Sequence, residues 1–150
     1  MRKLNLPEYE FRFKQEDGSR YVFDIFRKRY VMFTPEEEVR QRFSRYLIEE
    51  KEFPTALILT EYTLKLNEMT RRCDILIHKP AGYPAVLIEC KAPEVKIGQN
   101  TFDQVARYNL VFNVKYLMVT NGLKHYCCFL DFETRKVEFM KEIPLYSELN

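Results

Sequence analysis

Asp74 and the triplet Glu89-Cys90-Lys91 are the residues whose types and spacing could do chemistry in this chain. Asp74 closes the run Arg71-Arg72-Cys73 and leads into Ile75-Leu76-Ile77-His78, while Pro84-Ala85-Val86-Leu87-Ile88 leads up to Glu89. Between these segments Lys79 to Tyr83, with Pro80 and Gly82, reads as a turn. Antiparallel pairing about the midpoint between Ala81 and Gly82 sets Asp74 opposite Glu89, with Lys91 two residues further along the same face. Opposed Cβ atoms in such a pair stand about 4.5–5.5 Å apart, and like charges there repel. Both segments are apolar on both faces, the pattern of strands buried under helices. Carboxylates beside them cost free energy unless compensated. Lys91 could neutralise one of them. A divalent cation would neutralise the pair and use their oxygens, which suits Mg²⁺ or Mn²⁺.

A cation held by Asp74 and Glu89 can polarise a phosphodiester, lower the pKa of a bound water and stabilise the charge of an in-line displacement. The backbone carbonyl of Cys90 is a further candidate ligand. Lys91 can orient the attacking water or stabilise the growing negative charge. A third carboxylate could come from Glu36-Glu37-Glu38, where only Glu36 projects onto the Val39/Phe43/Leu47 face of a helix. Glu36 reads equally well as a favourable acid in a first helical turn. Glu37 is expected to complete a capping box with Thr34, and Glu38 to face solvent.

The elements that must position these residues follow from local signals. Tyr9–Lys14 and Tyr21–Phe26 read as a hairpin turned at Glu16-Asp17-Gly18-Ser19, and Tyr30–Phe33 as a further extended run. Thr34 as N-cap and Pro35 at the first position start an amphipathic helix over roughly 35–51, stopped by Phe53-Pro54. Ala56–Glu61 and Tyr62–Leu66 are strand-like. Asn100–Asn113 reads as a second helix that buries Phe102, Val105, Ala106 and Leu110. Lys115–Thr120, Lys124–Asp131 and Arg135–Met140 read as strands, with a turn at Asn121-Gly122. A mixed sheet with helices on its faces fits this order. The expected organisation is a single domain over 1–150: an N-terminal hairpin extension (1–33), a core (34–131) and a C-terminal strand and tail (132–150).

The 150 residues suffice for a real core, and 46% hydrophobic with 31% charged content is that of a globular chain. No apolar run approaches the roughly 20 residues needed to span a bilayer, and the start lacks a signal-peptide hydrophobic region, so a cytoplasmic location without membrane contact is expected. Cys73, Cys90, Cys127 and Cys128 form no CxxC pair and no zinc pattern with His78 and His125; reduced buried thiols are expected. The net charge of +2 is uninformative, but Arg27-Lys28-Arg29, Arg40/Arg42/Arg45 and Arg71-Arg72 are basic clusters that could touch phosphate. A sugar-cleaving carboxylate pair is disfavoured because the chain has no Trp to line a sugar groove.

These residues together resemble the PD-(D/E)xK nuclease superfamily. More closely, Thr34-Pro35-Glu36-Glu37-Glu38-Val39-Arg40-Gln41, the Arg-Cys-Asp-Ile segment and Ile88-Glu89-Cys90-Lys91 are similar to the N-terminal nuclease domain of type I restriction enzyme R subunits. Gln104-Val105-Ala106-Arg107-Tyr108 is similar to the Gln-x-x-x-Tyr element of the RecB-like branch. The resemblance spans roughly residues 30–130. It implies a restriction-endonuclease-like αβββαβ core and magnesium-dependent DNA cleavage. It further implies that Asp74, Glu89 and Glu36 are metal ligands, that Lys91 is the catalytic lysine, and that Gln104 positions water or phosphate with Tyr108 beside it. Without the family, Gln104 and Tyr108 read as a solvent-facing helix stripe. Arg71 and Arg72 would contact DNA.

Type I R subunits carry an ATP-driven motor, and no GxxxxGK[ST] loop occurs in this sequence. The expectation is therefore a nuclease without its own motor, acting alone, as a homodimer, or with a separate motor or specificity subunit. The alternative is a nucleic-acid-binding or assembly module that cleaves little.

Overall fold

The computed structural model describes residues 3–66 and 69–149; the side chains of residues 64–66, 69, 71, 108, 110 and 111 lie outside that description. Asp17 and Gly18, at φ 51° and 78°, form a two-residue turn of the kind whose twist matches its strands. It joins β1 (Phe13–Glu16) to β2 (Ser19–Asp24). β3 (Arg29–Met32) pairs antiparallel with β2, so the expected hairpin is two strands of a three-stranded sheet.

Helix α1 runs Pro35–Lys51, and the Thr34 hydroxyl accepts the Glu37 N–H at 3.1 Å. Glu52, left-handed at φ 60°, ends it. Val39, Phe43 and Leu47 are fully buried, each contributing about 1.5–3 kcal/mol. Two expectations for this helix fail. The Glu37 carboxylate does not close a capping box: Arg27, Arg40 and Gln41 hold it, and the Thr34 N–H bonds to the Met32 carbonyl instead. Glu38 is buried rather than in solvent, paired at 3.1 Å with Arg42, which donates to the Leu6 carbonyl at 2.9 Å. The physical reason is the same for both. The N-terminal segment covers what the pattern alone leaves as a polar face, so the charges there are paired internally.

A second sheet has six strands in sequential order: β4 (Ile58–Leu66), β5 (Met69–His78), β6 (Pro84–Cys90), β7 (Tyr116–Thr120), β8 (His125–Asp131) and β9 (Lys136–Phe139). β4 is continuous where two runs were expected. All pairs are antiparallel except β6 with β7, which are parallel because α2 (Gln99–Phe112) crosses between them. The expected mixed sheet is thus present, with one helix on each face. Val39, Phe43 and Leu47 pack with Ile75, Ile77 and Ile88, while Val105 and Phe112 of α2 pack with Leu76, Leu87 and Leu117.

Ala106, expected on the buried side of α2, is exposed; Val105 and Phe112 supply that side, and the Leu110 side chain lies outside the described residues. β9 falls within the strand expected over Arg135–Met140 and completes the sheet, and Ile143 and Leu149 join the α1-side core. Gly122, at φ 85°, is needed for a second reason: a Cβ there would sit 3.1 Å from Leu4 and Val39. All four cysteines are free and buried. Among the described residues no helix is long and apolar enough to cross a membrane.

Candidate active site

β5 and β6 pair in the expected register through Ile77↔Val86, Leu76↔Leu87 and Ile75↔Ile88, with a bulge at His78, which faces Pro84. Beyond Ile88 the ladder gives way: Asp74 Oδ2 accepts the Cys90 N–H at 2.7 Å. The alternation of faces breaks at the same level. Cys73 packs with Leu76 on the α2 side, although Ile75 and Ile77 pack on the α1 side; strict alternation would put Cys73 with Ile75. On β4, Ile58 packs on the α1 side but Tyr62 on the α2 side, and Glu61 between them has φ 51°. This paired kink turns Asp74 and Glu61 toward α1.

Arg40 meets them there. Its Nη2 lies 2.9 Å from Asp74 Oδ1, 2.9 Å from Glu61 Oε1 and 3.9 Å from Glu36 Oε1, while Nη1 bonds to Glu37. Burial pulls the Arg40 pKa down, but Glu37, Asp74 and Glu61 outweigh it and hold the guanidinium above its ordinary value. Arg27, Arg40 and Arg42, three of the basic residues that could touch phosphate, are instead taken up inside the protein. Arg27 binds Asp24 and Glu37, Arg40 and Arg42 are buried, and all three are committed to internal partners.

Glu36, Thr70, Arg72, Asp74, Glu89, Lys91 and Gln104 line one open cavity of about 420 Å³. Asp74 and Glu89 are buried at its floor. Glu36, half-exposed at 48%, points in from the first turn of α1 and not into the core, and Gln104 comes from α2 on the opposite side. Lys91 Nζ is 3.1 Å from Glu89 Oε1, and its N–H donates to the Thr120 carbonyl at 2.8 Å, which anchors the end of β6. Arg72 lies at the rim, exposed and 3.2 Å from Glu61. The Cys90 side chain turns into the α1-side core. The backbones of Arg71 and Tyr108 belong to β5 and α2, but their side chains lie outside the described residues.

The electrostatics are those of crowded acids. Burial, then the nearby Asp74, pushes the Glu89 carboxyl up to about 7, with Lys91 acting in the opposite direction. Burial and Asp74 likewise raise Glu36. Burial lowers Lys91, but Glu89 overcomes it and the net shift is upward. Arg40 and Lys91 thus already supply positive charge to Asp74 and Glu89, so the neutralisation expected of a divalent cation is in part provided by the chain itself. Among the described residues no group of three or more His, Cys, Asp or Glu side chains is arranged to hold a metal. The donor set is still chemically suited to a hard cation: three carboxylates face one cavity, and each Asp74 oxygen accepts one hydrogen bond and keeps a further lone pair.

Arg40, Glu61 and Thr70 were not anticipated as part of this site. For Arg40 a signal existed, since it follows Glu36 by four residues on one helical face. Nothing local marks Glu61, because its direction depends on the kink.

Residues 35–144 match the family described as type I restriction enzyme R protein N terminus. Among solved structures, a fragment assigned as an HsdR subunit of a type I restriction enzyme from Vibrio vulnificus YJ016 is similar, with a TM-score of 0.56 and 22% sequence identity. The similarity covers 78% of this chain and 24% of that one, so the chain spans about a quarter of the other's length. At that identity the likeness speaks for the fold. Comparison with curated proteins gives no match.

Proposed function

Because the chain belongs to the N-terminal family of type I restriction enzyme R proteins, we propose that its acidic cavity is the active site of a metal-dependent DNA endonuclease. In this reading the αβββαβ portion is a restriction-endonuclease-like core of the PD-(D/E)xK type. The observation that carries the reading is the convergence of Asp74, Glu89 and Lys91 on one open cavity, with Glu36 and Gln104 entering from two different helices.

Asp74, Glu89 and Glu36 would hold Mg²⁺ or Mn²⁺, with the Cys90 carbonyl as a further ligand. The ion would act as a Lewis acid and lower the pKa of bound water. The remaining roles belong to the chain itself. Lys91, kept protonated by Glu89, donates to the attacking water or to a phosphoryl oxygen. Gln104 offers an amide that can orient that water from α2. Asp74 is held still by the Cys90 N–H, so its carboxylate is pre-oriented before any ligand arrives. Arg72 at the rim would meet a flanking phosphate; Arg71 and Tyr108 are assigned to the same DNA contact. DNA is the substrate, and a homodimer or a separate motor or specificity subunit would complete a double-strand cutter.

The alternative, a nucleic-acid-binding or assembly module with little cleavage, has two observations in its favour: Asp74 is tied to Arg40, and among the described residues no ligating trio is preformed. Two measurements separate the readings. The nuclease nicks plasmid DNA only with a divalent ion, and Asp74→Ala and Lys91→Ala abolish nicking. Calorimetric titration with Mg²⁺ shows uptake in the wild type and loss of it in Asp74→Asn. Equal heats for the two proteins remove the metal from this reading.

A further inference from the structure

The sheet of β1–β3 lies ahead of the matched residues 35–144, and its two faces differ in burial. On one face Val22 and Asp24 are fully buried, and Asp24 ties through Arg27 to Glu37 of α1. That face also carries Arg20 over the Phe13 ring, 3.7 Å from its centre; the other face interleaves rings and cations with none of them buried. Register sets Lys14, Tyr21 and Met32 side by side, and Phe23 beside Tyr30. Arg12 lies opposite Phe23, whose N–H bonds to the Arg12 carbonyl at 2.8 Å. The Arg12 guanidinium stands 4.6 Å from the Phe23 ring centre, and the Lys14 ammonium 4.7 Å from Tyr30 and 5.9 Å from Tyr21. Arg12, Lys14 and Met32 are exposed and the three rings half-buried. One acid, Glu16, shares this face at its turn end, 3.0 Å from Lys14.

A sheet face turned to water is ordinarily polar, and this one presents three aromatic rings together with two cations. We propose that this face binds single-stranded nucleic acid. Arg12 and Lys14 take backbone phosphates, and Tyr21, Phe23 and Tyr30, with the plane of the Arg12 guanidinium, take unpaired bases by stacking. A duplex offers no free base faces, and an acidic peptide would use the cations but leave the rings idle. Met32 precedes Glu36 by four residues, a span of at most about 14 Å of extended chain, so a strand held here lies beside the mouth of the acidic cavity. The proposal shares with the nuclease reading only the class of ligand and stands on separate residues.

The test is fluorescence anisotropy on the full chain in EDTA, with labelled oligo(dT) and a duplex of equal length. Oligo(dT) is expected to bind more tightly than the duplex. The double variant Tyr21→Ala/Tyr30→Ala should weaken oligo(dT) binding about tenfold or more. Arg12→Gln/Lys14→Gln, which alters exposed chains only, should flatten the log–log salt dependence by about 1.4, at about 0.7 per phosphate contact. No binding by the wild type, equal affinity for duplex and oligo(dT), or wild-type behaviour of both double variants overturns the proposal. Because EDTA removes the metal, this outcome is independent of Mg²⁺ uptake at Asp74 and Glu89, and either reading can fail without the other.

Discussion

Arg40 Nη2 lies 2.9 Å from Asp74 Oδ1, joining the first helix to the kinked strand that carries the buried acid. The same guanidinium holds Glu37 and Glu61. One arginine therefore organises the acids at the back of the cavity, and it decides how far they can be loaded with further charge.

Removing that cation leaves buried carboxylates without a partner, which costs more than the pair itself contributes. Arg40→Gln is expected to lower the unfolding free energy by about 3–5 kcal/mol, read as a fall in the urea midpoint. A midpoint within experimental scatter of the wild type would show that Arg40 is not the centre of this network.

Glu89 has a proton affinity near pH 7 in the native protein against an ordinary value of 4.5. The folded state holds that proton more tightly than the unfolded chain does. The stability it contributes is complete below about pH 4.5 and is lost as pH rises through about 7. Urea unfolding at pH 5 and pH 8 should show the wild type losing more stability than Glu89→Gln over this window. Saturating Mg²⁺ should restore part of the loss at pH 8, because a ligand of the ionised native form stabilises it. Parallel pH profiles for the two proteins would contradict the assignment.

Glu36 separates the two roles open to a first-turn acid. It is half-exposed, so Glu36→Gln should change stability by no more than about 0.5 kcal/mol. The same variant should weaken Mg²⁺ uptake in calorimetry. Unaltered uptake would return Glu36 to a helix-end role.

Thr34 caps the helix that presents Glu36, through its hydroxyl alone. Thr34→Ala is therefore expected to cost about 1 kcal/mol. Glu37→Gln should cost more than the loss of a capping box would, since its carboxylate serves Arg27, Arg40 and Gln41. Chemical denaturation of the two variants side by side ranks them; the reverse order would restore the capping box.

Much of the architecture was legible in the residues. The Thr34-Pro35 start of α1, the turn between β5 and β6 and the apolar runs on either side of it are local signals, and the register they imply is the one observed from Ile75 to Ile77. The meeting of Glu36, Asp74, Glu89, Lys91 and Gln104 at one cavity also follows once helices are placed on the two faces of the sheet. What local pattern could not decide was the direction of charge. Glu38 and Arg42 look solvent-facing until the N-terminal segment closes over α1. Arg40 looks like a surface cation until the kink at Glu61 and Asp74 turns two acids toward it.

The sequence by itself determined the turn and register that join β5 to β6 and so bring Asp74 and Glu89 to one cavity, because hydrophobic alternation and turn chemistry act over a few residues. Only the tertiary structure decided which cation each carboxylate receives. That choice depends on burial and on contacts between segments far apart in the chain, where loss of water makes every unpaired charge costly.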